Sequence, residues 1–124
     1  MKVSVMGTGL IAAEAAGFSF SLGLVRRRGI DVDLFMKVLR QSALYAPTFD
    51  GKLQRYLGHD YANPNFPATH LKKDLDLARR EAEAVGLGTT VLDSLRAVLD
   101  ETIAQGLGGG DYAALYEAIA PDRS

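Results

Sequence analysis

Between Phe66 and Ala84 the chain reads FPATHLKKDLDLARREAEA, and the spacing of its apolar residues fixes what this stretch can become. Leu71, Leu75, Ala78, Ala82 and Val85 recur at steps of four, three, four and three. A half-buried strand needs a period of two; this pattern lays one apolar stripe along a helix. Lys72, Asp76, Arg79, Arg80 and Glu83 fall largely off the stripe. Asp76 and Arg80 stand four apart with the acid first, the favourable order for a surface pair. The distinctive element is Lys73-Asp74, a polar pair beside the apolar seam within F-x6-KDLxLA.

The same helical period recurs along most of the chain. Asp31 is placed to cap a helix whose buried face is Val32, Phe35, Val38 and Leu39. Pro47 suits a first-turn position, and Phe49, Leu53, Tyr56 and Leu57 continue at helical spacing as far as Gly58. His59 to Asn65 reads as a loop. The Lys73 helix ends near Gly86, and Thr89 or Thr90 caps the next, which carries Leu92, Leu95, Leu99 and Ile103 on one side. Gly106 stops that helix, and Gly108-Gly109-Gly110 reads as a flexible turn. The triplet lacks the Lys-Ser/Thr of a phosphate-binding loop, so it is a linker. Asp111 caps a last short helix with Tyr112, Leu115, Tyr116 and Ile119, leaving residues 121–124 as a tail.

Residues 1–30 admit three readings. Val3-Ser-Val-Met-Gly7-Thr-Gly9-Leu-Ile-Ala12 matches the dinucleotide fingerprint of a strand, a glycine turn and a helix start. Asp31 lies at about the distance of a ribose-binding acid, roughly 20 residues on. No succession of β-rich segments follows to build the sheet. Alternatively, the apolar run Val3–Val25 before Arg26-Arg27-Arg28 resembles a membrane span or a signal peptide. Glu14 would then lie in mid-bilayer at a cost of about 2.5–3.5 kcal/mol. The favoured reading is a long soluble helix from Leu10 to Arg28. Gly9, Ala13, Ala16, Gly17 and Gly23 would let other helices approach it, while Leu10, Phe18, Leu22 and Val25 supply core contacts. Gly29 then stops it in the left-handed conformation, and the arginines suit its negative end.

A chain of 124 residues with net charge −1 is long enough for one domain and carries no basic excess for a nucleic-acid partner. With no cysteine, disulfides and thiolate metal sites are excluded and the expected compartment is the cytoplasm. His59 and His70 are too few and too far apart to suggest a metal site. The expectation is an all-α single domain of about six helices with a long N-terminal helix, no metal and no membrane partner.

With the helices placed, the pattern resembles the C-terminal helical domain of the β-hydroxyacid dehydrogenase (3-hydroxyisobutyrate dehydrogenase) family. The matching pieces are Gly29-Ile30-Asp31, Asp60-Tyr61 before Pro64-x-Phe66, Lys73-Asp74-Leu75-x-Leu77-Ala78, Gly86, and Asp111-Tyr-Ala-Ala-Leu115. Their order and approximate spacing agree over about residues 10–120. The resemblance implies a fold like the 6-phosphogluconate dehydrogenase C-terminal domain. It also implies NAD or NADP as cofactor, with Lys73 approaching the nicotinamide cofactor and Asp74 orienting the helix or the lysine. A homodimer through the helical domain is implied as well, with the small-residue helix at 9–23 as a candidate seam.

Departures from the family matter as much. Its catalytic lysine lies early in the linking helix, four residues before an asparagine. Counting back from Gly29 without gaps puts Ser4 and Thr8 at those positions. Lys2 reaches the lysine position only after a two-residue slip, which turns a helix by about 200° and puts Met6 at the asparagine position. Serine cannot do the acid/base work of that lysine. Residues 1–9 read like the start of the family's nucleotide domain, so a shortened member without most of that domain is expected, truncated and not catalytic alone. Two other readings are a stand-alone dimerisation module that binds no nucleotide, and a helical domain binding a small carboxylic acid through Lys73 and His70.

Overall fold

Helix ends in this chain are written in a few residues, and they place the rest. After Arg28, Gly29 takes φ 69°, so its N–H reaches the Arg26 carbonyl while that of Ile30 reaches Val25. This is the pairing that satisfies the last carbonyls of a helix. The same pattern closes two later helices at Gly86 and Gly106. His59, rather than Gly58, takes the left-handed position after the Pro47 helix, with φ 50°. Asp31 accepts a hydrogen bond from the Asp33 N–H, as a helix cap does.

The structure, a computed structural model, describes residues 3–121. Its elements are α1 (Val3–Met6), α2 (Thr8–Arg27), α3 (Val32–Arg40), α4 (Pro47–Gly58), α5 (Ala68–Ala84) and α6 (Thr90–Ala104). A 3₁₀ turn (Tyr112–Ala114) then runs into α7 (Leu115–Ile119). Among the described residues there is no strand, and the fold is all-α as expected. Val3–Met6 is a helical turn, which excludes the strand of the dinucleotide reading. The long helix starts at Thr8, two residues earlier than Leu10.

The core has two parts, and α2 threads both. Ala12 and Ala15 meet Leu71 and Leu75 of α5 and Leu95 and Leu99 of α6. Phe18 and Leu22 meet Met36 of α3, Leu53 and Tyr56 of α4, and Tyr116. The first part uses small residues of α2 under leucines; the second is aromatic, with Phe18 stacked on Phe49 at 4.7 Å. Gly23 allows a close approach: an added Cβ would stand 2.9 Å from that of Ala120. α2 is long and apolar enough to cross a membrane by length and composition, yet one face of it is packed into both parts of the core.

Several expected core positions lie outside. Leu10 is 70% exposed, Val38 61% and Val85 71%. Val85 follows the last turn of α5, so the stripe outlasts the helix. On α3 the buried residue is Met36, with Val32, Phe35 and Leu39 beside it, which turns the buried face away from Val38. Asp76 does not pair with Arg80: Arg96 of α6 reaches it at 2.6 Å. The rule for residues four apart describes an isolated helix, and here a neighbouring helix supplies the nearer partner.

Candidate cofactor-facing site

Lys73 and Asp74 depend on how the start of α5 is held, and that is set by Asp111. Its carboxylate is fully buried and accepts two hydrogen bonds from Lys52 Nζ, at 2.9 and 3.0 Å. It also accepts backbone N–H groups of Asn65, Phe66 and Ala113. Burial alone would raise its pKa, but the Lys52 ammonium and the Ala113 N–H hold it below the ordinary carboxylate value. Read from sequence as a helix cap, Asp111 does cap the 3₁₀ turn. Its ion pair with a residue of α4 carried no sequence signal.

The glycine triplet completes the arrangement. Gly110 and Gly108 carbonyls accept the N–H groups of Ala68 and Thr69, two first-turn donors of α5 that have no partner inside the helix. Gly108 is buried, and an added Cβ there would stand 2.9 Å from Thr69 Cγ2. At Gly110 it would stand 3.2 Å from the Tyr61 carbonyl oxygen. The flexible linker expected from sequence is instead a packed loop that caps α5. Glycine is needed for close approach, not for mobility.

From that fixed start, helix geometry sorts the residues of α5. One flank faces α6: Lys72 pairs with Asp100, Asp76 with Arg96, and Arg79 with Asp93. The opposite flank faces α1 and the start of α2, where Ala78 and Glu81 line a groove with Met6, Gly9 and Leu92. Asp74, half-buried and one turn before Ala78, lies on this flank. Lys73 points away from Leu71 and Leu75; it is exposed and, among the described residues, makes no ion pair or side-chain hydrogen bond. Consecutive helix residues diverge by about 100°, and no hydrogen bond joins Asp74 to Lys73. His70 is exposed and meets the Phe66 ring edge-on at 6.3 Å, a core-edge histidine.

The remaining sequence candidates stand elsewhere. Lys2 lies outside the described residues. Ser4 falls within α1. Thr8 is 2% exposed, and its hydroxyl donates to the Val5 carbonyl at 2.7 Å, so it is committed to the joint between α1 and α2. Sequence reasoning did not foresee the apolar groove of about 370 Å³ beside that joint, whose wall includes Met6, Val85 and Leu87. Its exposed apolar residues were the available signal, but the helical period assigned Val85 to the core.

One long helix, α2, thus threads both clusters of the core and carries the elements that hold α5. The family model described as NAD-binding of NADP-dependent 3-hydroxyisobutyrate dehydrogenase matches residues 4–119, and the chain belongs to this family. It is similar to glyoxylate/succinic semialdehyde reductase 2, chloroplastic, of Arabidopsis thaliana, with 26% identity over 93% of this chain and 32% of that protein. Glyoxylate/succinic semialdehyde reductase 1 of the same plant is 25% identical over 95% of this chain and 40% of that protein. The chain thus spans about a third to two-fifths of the length of these relatives. The crystal structure of 3-hydroxyisobutyrate dehydrogenase from Salmonella typhimurium superposes with a TM-score of 0.82, at 22% identity, over 93% of this chain and 40% of that one. That likeness is one of fold.

Proposed function

We propose that this chain is the helical cofactor- and substrate-covering domain of an NAD(P)-dependent β-hydroxyacid dehydrogenase-like oxidoreductase, and that Lys73 is its contact with the dinucleotide. The observation that carries this reading is the contrast along α5. Lys72, Asp76 and Arg79 are each tied to α6, whereas Lys73 points outward without a partner among the described residues. An ammonium group with three donors on a rigid, capped helix suits the phosphate or hydroxyl groups of NAD or NADP. Asp74 sits on the neighbouring flank, where it shapes the helix surface towards α1. With serine at the lysine position of the linking helix, the chain positions and covers the cofactor and leaves proton transfer to other groups.

The test is a heteronuclear NMR titration of the chain with NAD⁺ and NADP⁺. The expected result is a weak contact with shifts confined to the amides around His70–Leu77, and these shifts disappear in Lys73→Ala. Shifts that are absent, or unchanged in Lys73→Ala, would overturn the reading. A second reading, an association module without nucleotide binding, is favoured by the exposed apolar residues of α2, where Phe20 is 63% and Leu24 52% exposed.

A further inference from the structure

The C-terminal end of α2 meets α7 beside a polar cavity of about 330 Å³. Gly23 brings the two helices together, because any side chain there would press on Ala120. Arg26 and Arg27, one turn further on, line the cavity with His59, Tyr116 and Pro121. Arg26 Nη1 donates to the Tyr116 hydroxyl at 3.2 Å, and Arg27 Nη2 donates to the Pro121 carbonyl. Both cations are held by neutral oxygens, and among the described residues neither pairs with a carboxylate. Arg40, Arg79 and Arg96, by contrast, each meet an acid. A guanidinium carries five N–H donors, so each of the two cavity arginines keeps donors beyond the one it spends here.

Three further features fit the cavity to an anion. Tyr116 is 3% exposed, and its hydroxyl accepts the Arg26 N–H but, among the described residues, finds no acceptor for its own hydrogen. A buried hydroxyl with an unspent donor at the wall of a polar cavity calls for an oxygen there. His59, in the left-handed position after α4, has its Nδ1 engaged by Glu117, which leaves Nε2 as the open nitrogen of the ring. A helix C-terminus ordinarily repels an anion through its free carbonyls. Here the N–H groups of Arg28, Gly29 and Ile30 take the carbonyls of Leu24, Arg26 and Val25.

We propose that this cavity binds the phosphate group of a phosphate monoester. A carboxylate offers two oxygens in one plane, whereas a phosphate monoester presents three acceptor oxygens and a charge of about −1.5 to −2 at pH 7. Two guanidinium groups, a hydroxyl and an imidazole nitrogen, brought together from α2, α7 and the end of α4, match the second. The arginines carry the charge, and the Tyr116 hydroxyl fixes the orientation. The volume stands at the lower end for small-molecule sites and has room for the phosphate and a short carbon skeleton. At 1.5 Å per residue, Arg26 lies about 16 Å along α2 from Ala15, which packs against α5. The cavity shares no residue with the Lys73 surface, and the proposal does not depend on the cofactor contact.

The test is an NMR titration of the chain with inorganic phosphate and with glycerol 3-phosphate, at an ionic strength held constant with chloride. The expected result is saturable shifts at the Gly23, Arg27, His59 and Tyr116 amides, with a Kd of about 1 mM or below. Arg27→Gln should weaken binding at least about tenfold, and Tyr116→Phe, which keeps the ring, about three- to tenfold. Arg28→Gln, outside the cavity, should weaken it less than about twofold, with the helical circular dichroism spectrum unchanged in all three variants. Flotation separates the source of the phosphate. Binding to phosphatidylcholine vesicles that hold phosphatidic acid, but not to those that hold phosphatidylserine, assigns the same cavity to a lipid headgroup. No saturation by about 20 mM phosphate, together with no such flotation, would overturn the proposal. So would a loss in Arg28→Gln equal to that in Arg27→Gln, or equal flotation with both anionic lipids, since either marks charge attraction without a site. Neither soluble probe carries a nicotinamide, and the His70–Leu77 amides should not move, so this proposal and the Lys73 contact fail separately.

Discussion

Charges tie α5 into the molecule at two places, and their surroundings give them different weight. At its start, Asp111 is fully buried, bonded twice by Lys52 and by three backbone N–H groups. Along its flank, Asp76, Arg79 and their α6 partners Arg96 and Asp93 are roughly a third exposed, bonding at 2.5–2.6 Å, with Thr89 and Glu83 as the further side-chain partners of Asp93 and Arg79. Water competes for the second set and not for the first. A buried carboxylate stripped of its partners has nowhere to turn, whereas an exposed one is rehydrated. The position of Lys73 therefore rests on the buried tie, with the flank ladder serving to choose which side of α5 meets α6.

Asp111→Ala should have the largest effect. It leaves the Lys52 ammonium partnerless under the Tyr112 ring, where its Nζ lies 4.5 Å from the centroid, and frees three backbone N–H groups. Breaking such a pair costs about 3–5 kcal/mol, readable by urea denaturation. The same group gives a pH dependence with a definite sign. Its folded pKa lies below the unfolded value, so its contribution is complete above the ordinary carboxylate pKa of about 3.9. That contribution is lost as pH falls through the lower folded value. Asp111→Asn should flatten that acid limb, and an unchanged limb would place the weight elsewhere.

Next in size is the capping loop, which links the buried tie to α5. Gly108→Ala should cost about 1–3 kcal/mol, since the new Cβ meets Thr69 Cγ2 at 2.9 Å and Ile103 Cγ1 at 3.3 Å. Gly109→Ala is the control: nothing stands within 4 Å of its Cβ. If the two variants melt alike, the loop is a linker after all and does not set the start of α5.

These two elements mark where the sequence was readable. Most helix ends were legible because their signals are local: Asp31 and Asp111 cap, and Gly29, Gly86 and Gly106 stop, whereas Thr89 precedes α6 without a side-chain cap hydrogen bond. The threading helix and the all-α class followed from the same periodicity. What periodicity cannot carry is which neighbour arrives. Lys52 and Asp111 are 59 residues apart, and nothing in either's local context announces the other. A triplet of glycines looks alike whether it is loose or pressed against Thr69 and Tyr61. Leu10, Val38 and Val85 have apolar character and helical phase, but the described residues leave them 61–71% exposed. At the site, Lys73 and Asp74 were singled out by their motif; only the paired residues around Lys73 show that it is left facing outward.

The smallest effect belongs to the flank ladder. Replacing Asp76 and Arg96 by alanine, singly and together, isolates their coupling. Because both are partly exposed, the double variant should lower Tm by no more than about 2 °C. The difference should fade at high salt, where exposed charges are screened. The Asp111 effect should persist there, since buried pairs are screened far less. A salt-insensitive coupling at Asp76–Arg96 would mean that the ladder is shielded from water and helps hold the helix that presents Lys73. Its absence leaves the buried carboxylate and its glycine loop as what fixes α5.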